Sequence, residues 1–127
     1  LAASGVVLMV VLGLSAFYHD SAAALVVGGS LVAAAQEERF SRIKHDPAFP
    51  RRAIDACLRT AGLTAADVDL VAFYEKPLRK LDRVLDTVMA TAPAGRTRFV
   101  DAMPSWFSDK LRVEDVIREH LGHDVRV

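Results

Sequence analysis

The chain has a single cysteine, Cys57, in 127 residues. An internal disulfide is excluded, and the usage fits a reducing, cytoplasmic compartment. An excess of charge of one sign is also missing: 16 Lys and Arg balance 16 Asp and Glu, and the pI is about 7.1. No basic cluster is interleaved with aromatics, so no nucleic-acid surface is expected. The phosphate-binding P-loop, the dinucleotide GxGxxG fingerprint and the GxSxG nucleophile elbow are all absent. There is no repeat, low-complexity segment or interdomain linker. The one long apolar run, Leu1 to Tyr18, has no basic residue before it. It is near the lower length limit for a membrane span. Gly5, Gly13 and Ser15 weaken a helix there, and the Val/Leu-rich stretch Val6 to Leu14 favours a strand buried on both faces. We read residues 1–9 as a leader outside the fold and expect no membrane partner.

What the chain does have is apolar mass: 52% hydrophobic residues and a mean hydropathy of +0.23. That suffices for one domain, or part of a larger one. Val6–Phe17, Ala22–Val27 and Ser30–Ala35 read as three strands. Gly28-Gly29 is a two-residue turn in which both positions tolerate positive φ. The expected opening is a three-stranded antiparallel meander. Gln36–Pro50 is dense in charge and reads as a loop. Pro50 can open a helix, whose apolar face is Ala53, Ile54, Cys57, Leu58 and Ala61 and whose stop is Gly62. Thr64–Asp67 reads as a capped turn and Val68–Tyr74 as a strand. Leu78 to Ala92 forms a second amphipathic helix, ended by Pro93 and Gly95. Phe99, Met103, Trp106, Phe107 and Leu111 suggest a short helix, Val113–Leu121 a third full one, and Val125–Val127 the start of a strand. Helices alternating with apolar strands indicate an α/β fold.

The most informative stretch is Tyr18-His19-Asp20-Ser21, placed between two apolar strands. Asp20 is the only charged side chain in residues 1–36. Such an insert is costly to bury and commonly faces a ligand. In the functional reading His19 takes a proton from a hydroxyl, Asp20 orients it or holds a metal-bound phosphate, and Ser21 with nearby N–H groups binds phosphate oxygens. In the bland reading Asp20 and Ser21 merely cap a turn. The residues alone leave both open. Arg39, Arg42 and Lys44 can bind an anion, or belong to a solvated charged loop. His120 and His123 are separated by the helix-stopping Gly122 and do not share a helical face, so they are not read as a metal pair. Cys57 reads as a core residue.

Four ordered motifs carry a family likeness. They are Leu12-Gly-Leu-Ser-x-x-Tyr-His-Asp-Ser-Ala-Ala-Ala-Leu25, Ala34-Ala-Gln-Glu-Glu-Arg-Phe-Ser-Arg-x-Lys-His-Asp46, Phe49-Pro-x-x-Ala-Ile54 and Phe73-Tyr-x-Lys-Pro77. From about Val10 to its end the chain resembles the N-terminus of the O-carbamoyltransferases, which modify antibiotics and nodulation factors. The resemblance implies a partial actin-like (ribonuclease H-like) α/β domain over residues 10–127. It implies ATP and a divalent metal, usually iron, as cofactors. Carbamoyl phosphate, ATP and a hydroxyl-bearing acceptor would be the small-molecule partners, and carbamoyladenylate the intermediate. By position, His19 matches a loop histidine beside the transferred group. Asp20 and Ser21 match its phosphate- and metal-side neighbours. Lys44 matches a lysine contacting the intermediate, with Arg39 beside it. The family's His-His-x-x-His metal motif and its carbamoyl-phosphate domain are not in these residues. We therefore expect no metal ligands in this chain, a C-terminal remainder as partner, and no turnover by the fragment alone. Self-association, including a homodimer, is expected from exposed sheet edges. The competing readings are a tRNA threonylcarbamoyl transferase or sugar-kinase relative, and a non-catalytic nucleotide- or partner-binding module.

Overall fold

The computed structural model describes residues 5–105 and 111–127. Its architecture is mixed α/β, with four strands in one sheet of order β3-β2-β1-β4. The strands are β1 (Val10–Ser15), β2 (Ala22–Val27), β3 (Ser30–Gln36) and β4 (Leu70–Phe73). β1–β2 and β2–β3 are antiparallel, whereas β4 runs parallel to β1. Gly28 and Gly29 turn the β2–β3 hairpin at φ +57° and +85°, the pair of positive values a tight two-residue turn needs. Near the chain end, Arg126 bridges Leu70 in parallel, the start of a further strand.

β1 is shorter than its apolar run suggests. Register sets the limit: Val10 pairs with Val27, the last residue of β2, and the Met9 carbonyl closes on the Gly28 N–H. Among the described residues Val6 to Met9 have no strand to pair with, and they stay exposed. β1 also alternates buried and half-exposed positions rather than being buried on both faces. Leu12, Leu14 and Ala16 enter the core, while Gly13 and Ser15 face the other way.

The core lies between the sheet and α2 (Arg51–Ala61). Ala53, Ile54, Cys57 and Leu58 form its inner face, which packs on β2 and β3. Full burial of a side chain such as Ile54 contributes about 1.5–3 kcal/mol. Pro50 precedes the helix instead of opening it, and Gly62 ends it at φ +67°. A 3-10 turn, Ala65–Asp67, follows with a Thr64/Asp67 capping box. The charged loop holds an unexpected short helix, α1 (Glu38–Ser41).

The chain divides into two compact units, 1–74 with 118–127, and 75–117. The second contains α3 (Pro77–Thr91), α4 (Arg96–Ser105) and the first part of α5 (Val113–Leu121). α3 has no buried residue, and Leu78, Leu85 and Met89 on it are exposed. Trp106 and Phe107 of the expected aromatic helix lie outside the described residues. Among the described residues no helix is long and apolar enough to cross a membrane.

Candidate functional site

Strand direction builds the site. β1, β3 and β4 all run the same way, so their carboxyl ends meet at one sheet edge. The register aligns Ser15 with Ala22, and Ala22 with Gln36, at that edge. Residues 16–21 leave β1 there, the charged run leaves β3, and Tyr74 leaves β4. Tyr74 donates its hydroxyl to the Ala16 carbonyl at 3.4 Å and its N–H to Leu14 at 3.3 Å. β1 is also the strand where antiparallel pairing gives way to parallel pairing.

The 16–21 connection is more than a turn. Its Phe17 N–H donates to the Pro47 carbonyl at 2.8 Å, and its Ser21 N–H to Asp46 at 3.0 Å. These two bonds staple it to the end of the charged loop. Phe17, Asp20, Arg42 and His45 all have positive φ, a conformation that costs a non-glycine residue free energy and concentrates at functional sites.

Asp20 is the hub. His19 Nδ1 lies 2.6 Å from one of its oxygens and His45 Nδ1 2.8 Å from the other. The two rings, His45 foremost, hold the Asp20 carboxyl below its usual range. Asp20 in turn raises the His45 imidazole above its ordinary value. An ionised carboxylate only accepts, so both Nδ1 atoms carry the proton and donate. Each Nε2 is then left with a lone pair when its ring is neutral. The His19 side chain is 56% exposed, so its Nε2 is open to a ligand. Glu38 joins by accepting the His45 N–H at 2.8 Å.

Among the described residues, Asp20, Glu38 and His45 each bring a possible metal-ligand atom within 4.8 Å of the others. Both Asp20 oxygens and one Glu38 oxygen already accept hydrogen bonds within the cluster. Two carboxylates and one imidazole, with three of the carboxylate oxygens already accepting hydrogen bonds, are a poor fit to a resident iron centre.

The remaining expected site residues fall elsewhere. Ser21 is fully buried, and its Oγ has no hydrogen-bond partner among the described residues. Its N–H is committed to Asp46, so neither group is offered to a phosphate. Arg39 lines an open hollow of about 470 Å³ on the sheet face opposite α2, floored by Gly13, Ser15, Ala24 and Ala34. It does not join the Asp20 network. Lys44 is exposed, next in sequence to His45, and has no ion pair among the described residues.

Three carboxylates and one imidazole escaped the sequence reading. Glu37 is 5% exposed and accepts the Ala53 N–H at 2.8 Å and the Arg52 N–H at 3.3 Å. It thereby occupies the electropositive start of α2. Asp46 is held below its usual range by the Ser41 hydroxyl and then the Ala48 N–H. Glu38 and His45 complete the set. Their only sequence signal was their place in the charged motif, where mixed signs read as a solvated loop.

Comparison with known proteins gives the chain a family. The family described as Carbamoyltransferase N-terminus matches residues 10–126. A Synechocystis protein, the uncharacterized sll1178, is 50% identical over 112 residues, covering 88% of this chain and 18% of its own length. The nodulation protein NolNO of Sinorhizobium fredii is 48% identical over 60 residues, 47% of this chain and 9% of that protein. An uncharacterized 19.2 kDa Rhizobium etli protein is 43% identical over 60 residues, 47% of this chain and 35% of its own. The chain thus spans about a third or less of each relative's length.

Proposed function

The chain belongs to the carbamoyltransferase N-terminus family, and from that premise we propose that it is the N-terminal part of an ATP-dependent O-carbamoyltransferase whose acceptor is a hydroxyl of a small-molecule natural product. The observation that supports this most directly is the His19–Asp20 pair at the carboxyl end of β1. With Asp20 ionised, His19 keeps its proton on Nδ1 and presents a bare Nε2. That nitrogen takes the proton of the acceptor hydroxyl. The acceptor oxygen bonds to the carbamoyl carbon of carbamoyladenylate. The bond from that carbon to the phosphate oxygen breaks, and AMP leaves with the electron pair. Lys44, next in sequence to His45, is the cation proposed to hold the phosphate side, where fixed positive charge offsets the charge developing on the leaving group.

ATP and carbamoyl phosphate supply the intermediate, and a divalent metal, usually iron in this family, supplies Lewis acidity when bound. The described residues of this chain fit that metal poorly, and we assign its ligands to other parts of the whole enzyme. Ser21 stays out of the ligand set because its hydroxyl is buried.

The test is transfer by the complete enzyme. Loss of a general base typically costs 10²–10⁴-fold, so His19→Asn should lower kcat on that scale. Lys44→Ala should weaken use of carbamoyl phosphate and ATP. Near-normal transfer by both variants would refute the site assignment. The 127-residue chain alone should give no turnover, and measurable transfer by it would overturn that expectation.

A further inference from the structure

Asp20 serves two imidazoles, and the proposed reaction uses only one. We propose that His45 is a positioning residue. By donating from Nδ1 to one oxygen of Asp20, it fixes the carboxylate whose other oxygen holds His19 with Nε2 free to take a proton. This rests on the reading of His19 as the base.

The structure argues against the simpler role of a loop staple. The two loops are already joined by the Phe17–Pro47 and Ser21–Asp46 backbone bonds. The Glu38 carboxylate holds the His45 backbone through its N–H. Removing the imidazole leaves all three contacts in place. What disappears is the second donor to Asp20. A carboxylate with one donor rotates about its side-chain torsion, because its two oxygens are equivalent acceptors. With a donor on each oxygen, both the plane and the direction of the group are set. His19 inherits that direction through its 2.6 Å contact.

The arrangement also sets charge. The groups facing the His45 ring are Asp20 and, at longer range, Glu38 of α1. Those facing Asp20 are the two histidines. When His45 is protonated it balances Asp20, and His19 then sits beside a compensated carboxylate rather than a bare one. His45 therefore holds the direction of Asp20 and also moderates its field.

Two measurements test this. In the uniformly 15N-labelled chain, histidine ring-nitrogen shifts report which nitrogen of His19 is protonated. Wild type should show the single Nδ1–H form. His45→Ala should show a mixture containing the Nε2–H form. His45→Asn, whose amide can donate to the same oxygen, should restore the wild-type pattern. The Phe17 and Ser21 amides should keep their positions in every variant. An unchanged His19 tautomer in His45→Ala would overturn the proposal, and so would a shift of those amides, which would make His45 a staple. In the complete enzyme, His45→Ala should lower kcat with little change in acceptor KM, and His45→Asn should recover most of the loss. A change confined to KM, or no rescue by Asn, would also overturn it. The ring-nitrogen readout does not depend on carbamoyl transfer. A wrong reaction with a correct tautomer response would refute the proposed function and leave the positioning role intact.

Discussion

Replacing Glu37 by alanine should cost more stability than any other single alanine change in the charged loop. Its carboxylate is almost fully buried and meets the first N–H groups of α2, at 2.8 Å from Ala53 and 3.3 Å from Arg52. Hydrogen bonds to charged groups contribute about 1.5–3 kcal/mol each. The longer Arg52 contact contributes at the lower end. An anion at a helix start adds roughly 0.3–1 kcal/mol. Glu37→Ala removes all three and leaves the buried Ala53 N–H without its acceptor, so the sum is about 3–5 kcal/mol. With an m-value of about 2 kcal/mol/M in urea, the unfolding midpoint should fall by about 1.5–2.5 M. Glu37→Gln keeps an acceptor oxygen but loses the charge, and should fall between wild type and alanine. Glu119→Ala, at an exposed position on α5, should stay within about 0.5 kcal/mol. The reasoning fails if Glu37→Ala matches that control, or if Gln and Ala are equally harmful.

Other outcomes follow from the same geometry. Asp20 is lowered from 3.8 and His45 raised from 6.5. The carboxylate's contribution is present above 3.8 and lost as pH falls through its depressed folded value. The imidazole's contribution is present below 6.5 and lost as pH rises through its elevated one. The stability gap between wild type and His45→Ala should thus be widest near pH 5 and shrink by about pH 9; urea titrations showing a gap that widens toward alkaline pH would contradict this. Cys57 is buried and its thiol is pushed up by that burial, so a thiol reagent should label it only in denaturant, and rapid native labelling would contradict the α2 packing. Ile54→Ala removes a fully buried side chain and should cost about 2–5 kcal/mol by thermal or chemical unfolding. Gly29→Ala forces a side chain into φ +85° with open space around it, so it should cost about 1–2 kcal/mol through backbone strain alone.

The sequence carried the sheet well because local chemistry decides it. The meander, the Gly28-Gly29 turn, the inner face of α2 and the Thr64–Asp67 cap all rest on neighbours within a few positions. β1 was overextended because an apolar run does not disclose where its partner strand stops; Val27 does that from a distance. α1 was missed because four residues are too few to show a period. The site divided in the same way. His19 and Asp20 stood out as polar residues in an apolar setting. Glu37 and His45 did not, since each acquires its role from a partner 16 or 25 positions away, and a charge run gives no sign of which member turns inward. Ser21 continues the buried Ala23 and Leu25 side of β2, which the pattern of a polar turn conceals.

β1 is hydrogen-bonded on both sides along most of its length, antiparallel to β2 and parallel to β4. A slip of one residue would turn Leu12 and Leu14 outward and break two registers together. His19 lies on the connection that leaves this doubly paired strand. His45 hangs from a loop with no strand beneath it. The two imidazoles that share Asp20 thus differ in mechanical compliance. A ligand pressing on this edge would displace the His45 side first, and Asp20 would carry that displacement to His19 as a change in its hydrogen bond while β1 stays in register.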